Sequence, residues 1–408
     1  MQKVLTQKNL FSISIGVVSF VLITLPFKHN VNSVGIILLS VLALIHWIGA
    51  RDKFKMNITF WGFVFFYLWA CLSYFWSDDQ QESLKAFRKL LPFLLLPISI
   101  QIVNQNFPKW TEKILTYFSL GIILSSLFCL IYAVFEVFKT KSSSHLFYHN
   151  LSEPLFGMSA IYMSLFVAFS FFFLYFQQPF KKWQNLCLLG FLLFTLVLLS
   201  SKILITATFL IIVFDQLRTR KYYLLSLIIP MILILFWKNF SSEQIKQRVL
   251  EEIEKTDISE VLTANQFGQV YHWTGSGLRL FQAKCFYELL ESDKKYFLGY
   301  GFLASQEKLT EKYQEYDLYP GFYTYNFHNQ YLQTIADLGI VGLILMVFLI
   351  YKGYRKALAE KSPLFFVFIL LITLICITES LLWRQWGMVF FVTIYCLLYL
   401  QPLQRTGN

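Results

Sequence analysis

The sequence predicts an all-α integral membrane protein, and three observations lead to this fold class. Of its 408 residues, 56% are hydrophobic and 19% aromatic, above the apolar share usual for soluble domains. The apolar residues form repeated uncharged runs between Phe11 and Leu400, and a helix needs ~20 such residues to cross a bilayer core. Strands of a membrane barrel would be shorter and would alternate, so a barrel is excluded.

Twelve apolar segments are candidate membrane spans, and the first has no small-residue cleavage site after it, so it is predicted to be a span and not a signal peptide. The segments are residues 10–27, 33–50, 58–76, 90–104, 114–138, 156–176, 185–200, 202–217, 222–239, 329–351, 362–381 and 385–401. We therefore expect nine membrane helices in residues 1–239, one long helical loop in residues 240–327, and three further helices in residues 328–408.

The positive charge of the chain indicates its orientation in the membrane. The formal net charge is +11, but the basic residues lie in short connections between apolar runs and not on one face or tail, so no nucleic-acid partner is expected. On this span count, five groups of basic residues fall on one side, which the positive-inside rule makes cytoplasmic. They are Arg51/Lys53/Lys55, Lys109/Lys113, Lys181/Lys182, Arg218/Arg220/Lys221 and Lys352/Arg355/Lys356/Lys361.

The long loop is expected on the opposite, extracytoplasmic side, together with the connections 77–89 and 139–154. Apolar positions at helical spacing predict an amphipathic helix over Glu243–Ile253 and a second helix over Leu278–Leu290. A Gly-Tyr-Gly segment at 299–301 then interrupts the chain. Because long structured loops in compact proteins are usually functional, chemistry is expected outside the cytoplasm.

His328 stands where this loop meets the next apolar helix. A neutral imidazole is well suited to move a proton near neutral pH, so it can activate an acceptor hydroxyl. The alternative is that His328 caps the helix or packs among Tyr323, Tyr325 and Phe327. The residues alone leave both interpretations open.

The helix after His328 is predicted to carry Asp337 on the opposite face and ~13 Å deeper, so Asp337 cannot orient His328. A hydrogen bond to a neighbouring helix is the expected role of this carboxylate, although a buried charge in a membrane is also a functional hypothesis. Glu379 and Arg384 are expected to pair with each other. The face below His328 consists of positions 332, 335, 339 and 342, and its two glycines permit close helix approach.

Three cations are candidates for binding an anionic group. Arg279 is expected at the start of a loop helix, and its guanidinium matches phosphate oxygens bidentately, although it is also suited to pair on the surface with Glu288. Lys202 and Arg88 lie at the ends of apolar runs, where they either face an anionic headgroup or extend to the membrane interface.

Neither a metal site nor a cofactor is expected. The six cysteines lie mostly in apolar runs without a C-x-x-C motif, and His145 and His149 lack a third ligand. No Gly-rich phosphate loop or acidic metal motif occurs in the connections assigned to the cytoplasm. An extracytoplasmic enzyme without nucleotides requires a preactivated substrate, for which a lipid-linked diphosphate is the natural candidate.

The layout and these motifs resemble the O-antigen ligase and O-antigen polymerase superfamily. The ligases carry a histidine followed by Asn or Ser, then a leucine and a glycine, and His328, Asn329, Leu332 and Gly339 match this signature. Arg279 followed by Gly299-x-Gly301 looks like the family's loop arginine and Gly-x-Gly. Ser201-Lys202 resembles a Ser-Arg element with lysine in place of arginine, and Trp76-Ser77-Asp78 looks like the family's loop after the third span.

The resemblance implies a metal-independent, inverting glycosyltransferase of the bacterial inner membrane, with its active site facing the periplasm. It implies undecaprenyl-diphosphate-linked glycan as donor and the lipid A core as acceptor. His328 would assist the acceptor hydroxyl, and Arg279 with Lys202 and Arg88 would offset the charge of the departing diphosphate. Asn329, Gly299, Gly301 and Asp337 would support the site.

Two groups of alternatives stay open. Polymerases that join glycan repeats and enzymes that glycosylate protein hydroxyls share the loop motif with the ligases, although the His-Asn-x-x-Leu signature favours a ligase. A transporter or lipid flippase would also have many apolar spans and a few buried charges. Convergence of Arg279, Lys202 and His328 on one cavity would favour the enzyme, and scatter over separate surfaces would favour transport.

Overall fold

The computed structural model describes residues 7–50, 56–106, 110–219 and 257–405, and every structural statement below concerns these residues. They form helices joined by turns, without a strand. The helices are α1 (Gln7–Ile23), α2 (His29–Ala50), α3 (Ile58–Leu72), α4 (Gln80–Leu84), α5 (Ala86–Lys89), α6 (Pro92–Asn106), α7 (Thr111–Thr140), α8 (Tyr148–Ser152), α9 (Ala160–Gln177), α10 (Lys182–Leu198), α11 (Lys202–Thr219), α12 (Ile258–Thr263), α13 (Gly275–Asp293), α14 (Ser305–Glu315), α15 (Gln330–Ala359), α16 (Pro363–Thr378) and α17 (Gln385–Leu400).

The prediction of a helical membrane protein is confirmed. Within the described ranges, six stretches are helical, long and apolar enough to cross a membrane: 29–49, 58–76, 80–104, 111–140, 160–177 and 330–359. Four shorter apolar helices accompany them, at 11–23, 182–198, 363–378 and 385–400. The predicted span 222–239 and the amphipathic helix Glu243–Ile253 lie outside the described residues, so the count of twelve spans stays a prediction.

Helix α9 forms the centre of the bundle, because every one of its residues except Ile161 is buried. Its Phe166 and Phe169 pack against Phe118 of α7 and Phe390 of α17, with ring centroids 4.8–6.2 Å apart. Lipid tails are as apolar as these side chains, so helix association in a membrane depends on close packing. Interlocked aromatic rings supply that packing around α9.

The residues between α12 and α15 cover one end of the bundle, which we call the loop end. The backbone N–H of Asp78 donates to the Tyr300 carbonyl at 3.0 Å, and the Ser83 hydroxyl donates to the Phe302 carbonyl at 2.9 Å. These bonds tie the connection between α3 and α6 to the loop. As predicted from its helical pattern, the segment around Leu278–Leu290 is a helix, α13.

Different contacts close the other end, which we call the opposite end. The Arg405 guanidinium pairs with the Asp215 carboxylate at 2.9 Å, and the Tyr175 hydroxyl donates to the same carboxylate at 2.5 Å. Gln401 accepts a hydrogen bond from the backbone of Trp110 at 3.0 Å. The chain after α17 is therefore attached at the opposite end.

Helix α15 is interrupted at Gly339, where the sequence predicts an unbroken helix. Gly339 has φ 66° and ψ −170°, a left-handed conformation that favours glycine. A Cβ at this position would lie 1.9 Å from the carbonyl oxygen of Phe297. The expectation of a continuous helix is wrong here, because the backbone of the loop occupies the space next to the helix.

The loop and Trp69 of α3 satisfy the backbone groups that this interruption leaves without intrahelical partners. The N–H groups of Tyr300 and Gly301 donate to the carbonyls of Ala336 and Asp337 at 2.8 and 3.0 Å, and the Ile340 N–H donates to the Tyr296 carbonyl at 2.9 Å. The Trp69 indole donates to the Leu338 carbonyl at 2.9 Å. An unpaired buried backbone group is costly, so these bonds hold the loop on α15 in one register.

Candidate active site

A cavity of about 480 Å³ lies at the loop end, between parts of the chain that are far apart in sequence. Its walls come from the α7–α9 connection, from the start of α11, from the segment leading into α13, and from the end of α16. The lining residues are Tyr148, Ile161, Ser200, Ser201, Lys202, Ile203, His272, Trp273, Thr274, Gly275, Ser276, Arg279 and Thr378. Two of the three predicted cations, Arg279 and Lys202, are among them.

Helix α13 positions Arg279 on this cavity. Thr274 caps the helix by accepting a hydrogen bond from the Gly277 N–H at 3.0 Å. One turn later, Arg279 donates from Nε to the Thr378 carbonyl at 3.1 Å and from Nη1 to the Gly275 carbonyl at 2.9 Å. A guanidinium has five N–H donors, so the remaining donors are available to a ligand in the cavity.

The alternative pairing of Arg279 with Glu288 is not what the structure has. Glu288 pairs with Lys312 at 3.2 Å and accepts a hydrogen bond from the Tyr316 hydroxyl at 2.7 Å. Arg279 contacts two backbone carbonyls, which carry no net charge to neutralise it. The expected position of Arg279 at the start of a loop helix is confirmed.

The other two predicted cations are placed differently. Lys202 is the first residue of α11 and its side chain is exposed, on the same cavity as Arg279. Arg88 is exposed on the short helix α5 and is not part of the cavity lining. The structure therefore brings Lys202 and Arg279 together and leaves Arg88 outside.

His328 lies beside the cavity and not in its lining. Its φ of 43° is left-handed, and its backbone N–H donates to the Asn326 side chain at 2.9 Å. The ring edge meets Tyr325, with ring centroids 5.4 Å apart at 77°. His328 Nδ1 is 3.3 Å from the Glu379 carboxylate. When Nδ1 carries the proton and donates to Glu379, Nε2 is the nitrogen that accepts a proton.

Glu379 connects His328 to the cavity, because it directly follows Thr378, whose carbonyl holds Arg279. The expected pairing of Glu379 with Arg384 is wrong, since the carboxylate contacts His328 instead. Glu379 is the candidate functional residue that the sequence interpretation missed. A lone carboxylate after an apolar run was visible, but its partner lies 51 positions away and no local pattern indicates it.

The segment after α16 is attached to the start of α15 by two further hydrogen bonds. The Ser380 hydroxyl donates to the Asn326 side chain at 3.2 Å, and the Leu382 N–H donates to the Gln330 side chain at 2.6 Å. Asn329 is the cap of α15, accepting from the N–H groups of Tyr331 and Leu332 at 2.9 and 3.1 Å. The cap is thus Asn329 and not His328, and it determines where α15 begins.

Asp337 is fully buried and away from His328. Its carboxylate accepts hydrogen bonds from the Ser305 hydroxyl and, at 3.3 Å, from the Gln333 amide. The expectation of a structural hydrogen bond is confirmed, but the partners are the first residue of α14 and a neighbour on α15, not another span. Asp337 therefore joins the loop to α15.

Gly299 and Gly301 permit close contact between backbones. A Cβ at Gly299 would lie 2.5 Å from the Asp337 backbone, and one at Gly301 would lie 2.3 Å from the Ser77 hydroxyl oxygen. Between them, the Tyr300 hydroxyl donates to the Leu289 carbonyl and to the Asp293 carboxylate at 2.9 and 2.8 Å. Burial, reinforced by Asp293, raises the pKa of Tyr300, so the phenol stays a neutral donor.

His149, one of the paired histidines of the α7–α9 connection, has a structural contact. The Nδ1 atom of His149 accepts a hydrogen bond from the Ala160 N–H at 3.1 Å. In the part of the chain that the structure describes, no group of three or more histidine, cysteine or acidic side chains is arranged to hold a metal ion. His149 supports the start of α9.

These features define a helical membrane protein with a cation-lined cavity beside a histidine–glutamate pair. A comparison with protein-family models matches residues 155–347 to the family described as O-antigen ligase. The O-antigen ligase superfamily predicted from the sequence is thereby confirmed. Its members are glycosyltransferase-like membrane enzymes that act on lipid-linked glycans. A search of curated proteins found no match for the chain.

The matched segment contains most of the candidate site. Lys202, Arg279 and His328 lie inside residues 155–347, whereas Arg88 and Glu379 lie outside. The family comparison thus covers both walls of the cavity that carry a cation. The partner of His328 is known only from the structure.

Proposed function

We propose that the protein transfers a glycan from a lipid-linked diphosphate to an acceptor hydroxyl, as an O-antigen ligase does. One observation carries this proposal: Arg279 and Lys202 line one cavity, and the carbonyl that holds Arg279 directly precedes the glutamate that contacts His328. The arrangement supports an anion site adjacent to a proton acceptor. Two of the three residues whose convergence would favour an enzyme share the cavity, and the third, His328, lies beside it through Glu379, so we favour glycosyl transfer over lipid transport.

In the proposed reaction, the cavity binds the diphosphate of the donor. Two backbone carbonyls hold the guanidinium of Arg279 in place. Its remaining N–H donors can therefore bind the diphosphate without a rearrangement of the side chain. Lys202 adds a second positive charge to the lining of the same cavity. Both charges stabilise the diphosphate as negative charge develops on its leaving oxygen.

His328 acts on the acceptor. Glu379 accepts a hydrogen bond from Nδ1–H of His328 and orients its ring. Nε2 is then the nitrogen that takes the proton of the acceptor hydroxyl. The hydroxyl oxygen then forms a bond to the anomeric carbon while the bond from that carbon to the diphosphate oxygen breaks. Attack from the face opposite to the leaving group inverts the anomeric centre. We propose that side chains supply every charge the reaction needs and that it uses no metal ion.

We propose undecaprenyl diphosphate as the lipid carrier and the lipid A core as the acceptor. The loop end would then face the periplasm of a bacterial inner membrane, as expected from the distribution of basic residues. Residues 1–239 and 328–408 would form the membrane part, and residues 240–327 the periplasmic loop. The His328-Asn329 motif supports a ligase over a glycan polymerase or a protein glycosyltransferase.

Disruption of the gene, followed by gel analysis of lipopolysaccharide, tests this choice. A ligase leaves polymer accumulated on its lipid carrier and lipopolysaccharide without long chains. Lipopolysaccharide carrying single repeats would instead indicate a polymerase. Unchanged lipopolysaccharide would contradict both and direct attention to protein acceptors.

Substitution of the cavity cations tests the donor site. Arg279→Ala should lower kcat/KM for the lipid-linked donor about 100-fold, the usual effect of removing a preorganised donor to a developing anion. Arg279→Lys should be less severe, because the charge stays but the fork and the bond to Thr378 are lost. Lys202→Arg should retain activity.

The matched control is Lys308→Ala, since Lys308 is a surface lysine of α14 that pairs with Glu311 at 3.0 Å and is not part of the cavity lining. It should leave transfer unchanged. Full activity of Arg279→Ala with purified donor and acceptor would refute the assignment of this cavity.

A further inference from the structure

A second group of positive and hydrogen-bond-donating side chains surrounds the start of α17, away from the cavity. Arg384 immediately precedes the helix, and it lies within electrostatic range of Lys89 and of His29. All three side chains are exposed. None of them belongs to the lining of the cavity that holds Arg279.

The two cations of this group are not neutralised by a direct ion pair. Among the residues that the structure describes, neither Arg384 nor Lys89 has an acidic side chain within ion-pairing distance. Glu379 is occupied by His328, and Glu82 pairs with Lys85. The positive charge of the two side chains is therefore available to an anionic ligand.

Two buried donors in the same place are unsatisfied. The hydroxyl of Tyr162 and the indole N–H of Trp386 have no hydrogen-bond partner in the described chain. Tyr162 is only 3% exposed, and its ring lies 5.7 Å from that of Trp386. The Tyr162 hydroxyl is in electrostatic range of both Glu379 and Arg384. Leaving a buried donor unpaired costs free energy, and a bound ligand is one partner that would satisfy these two donors.

The N-terminus of α17 adds to the positive electrostatic potential of this group. No side chain caps α17, so its first N–H groups lack protein acceptors from a cap. The 16 residues of α17 orient their peptide dipoles with the positive end at this point. The Gln385 amide holds the start of α2 beside it by donating to the His29 carbonyl and the Asn32 side chain at 3.2 and 3.1 Å.

We propose that this group is a second oxyanion site, which binds a phosphate ester through Arg384, Lys89, Tyr162 and Trp386. An ester of this kind is carried either by the acceptor or by a lipid headgroup at the membrane surface. Glu379 separates the two sites, with His328 in contact with it. Under the proposed function, an anionic substituent bound here would hold the acceptor on the side of His328 away from the donor.

Ligand-dependent thermal stability of the full-length protein in phosphatidylcholine nanodiscs tests the site without requiring glycan transfer. The probe is glucose 6-phosphate, compared with glucose at equal ionic strength. A ligand that binds the folded state raises the midpoint of unfolding according to its concentration and affinity. The sugar phosphate should raise it and glucose should not.

Four substitutions identify where the probe binds. Arg384→Ala should raise the half-saturating concentration about tenfold, as expected for one charge-assisted hydrogen bond. Trp386→Phe and Tyr162→Phe keep their rings and should raise it roughly threefold, because each removes one neutral donor. Trp61→Phe, on the exposed surface of α3, is the control and should leave it unchanged.

A response that persists unchanged in Arg384→Ala overturns the proposal, and so does an equal response to glucose. Repeating the titration in phosphatidylglycerol nanodiscs identifies the natural carrier. Competition by the lipid in the parent protein, but not in Arg384→Ala, assigns the site to a headgroup, and absence of competition assigns it to the acceptor. Because binding is measured directly, failure here leaves the proposed glycosyl transfer untouched.

Discussion

Three contacts hold His328 in place. Its backbone N–H donates to the Asn326 side chain, its ring edge packs against Tyr325, and its Nδ1 atom contacts the Glu379 carboxylate. A base that takes a proton from a hydroxyl needs one nitrogen fixed and the other open, and a carboxylate on Nδ1 provides this. The sequence indicated the histidine through its position at the end of a polar loop. It did not indicate the glutamate, because the contact depends on how α16 ends beside α15.

Substitutions of Glu379 test its role as the residue that orients His328. Glu379→Ala should reduce kcat about tenfold or more while leaving KM for the donor unchanged, because the donor site is separate. Glu379→Gln should recover part of this loss, since an amide oxygen also accepts from Nδ1–H. The measurement is transfer from purified lipid-linked glycan.

Glu112→Gln is the matched control, because Glu112 is an exposed carboxylate in the first turn of α7 at the opposite end. Transfer should be unaffected by it. If Glu379→Ala worked as fast as the parent protein, the glutamate would have no part in positioning His328.

Asp337 is a buried carboxylate with a structural role. Asp337→Ala leaves the Ser305 hydroxyl without its acceptor, which should cost about 1–3 kcal/mol of stability, whereas the Gln333 amide keeps its bond to the Ser305 oxygen. Asp337→Asn keeps an acceptor and should lose less. Thermal midpoints in detergent give the comparison, and transfer per folded molecule should stay near the parent value for Asp337→Asn. A loss of transfer without a loss of stability would instead assign Asp337 to the chemistry.

Among the elements, α15 differs most from expectation. Its apolar period predicts a membrane helix, and the structure has that helix, but the chain is left-handed at Gly339 and resumes after it. The interruption gives the loop three backbone bonding positions on the helix, at Ala336, Asp337 and Ile340. The position of His328 relative to the cavity therefore depends on contacts made two to three turns further along α15.

Gly339→Ala should destabilise the protein strongly. A left-handed non-glycine residue costs about 1–3 kcal/mol by itself, and the new Cβ would also collide with the Phe297 carbonyl. Gly190→Ala in α10 is the control, because a Cβ there has no atom within 4 Å and alanine favours a helix. The thermal midpoint should fall for Gly339→Ala and hold or rise for Gly190→Ala. Equal midpoints would show that the left-handed conformation at Gly339 does not contribute to the stability of the protein.

At the scale of the whole molecule, the loop end and the opposite end contain different groups. The loop end contains the cavity, the His328–Glu379 pair and the cluster around Arg384. At the opposite end, the Arg405–Asp215 pair attaches the chain after α17. The candidate functional groups therefore lie at one end of the bundle, although they come from connections that are far apart in sequence.

Labelling of single cysteines in intact bacterial cells tests the orientation. With the exposed Cys187 replaced by serine, Thr324→Cys at the loop end should react with a membrane-impermeant maleimide added outside the inner membrane. Lys181→Cys, between α9 and α10 at the opposite end, should react only after permeabilisation. The reverse pattern would place the cavity in the cytoplasm and refute transfer from a periplasmic donor.

Several features followed from the sequence alone: the helical membrane class, the superfamily, α13 with Arg279 near its start, and His328 at the beginning of α15. Each of these features depends on local composition, on the spacing of apolar residues or on a short motif, and these are properties of the sequence itself. Tertiary structure decided the rest: Arg279 and Lys202 share a cavity while Arg88 does not, Glu379 contacts His328 and not Arg384, and Gly339 interrupts α15. These depend on segments dozens to hundreds of positions apart, and only packing brings such segments together, since no local pattern specifies their distance.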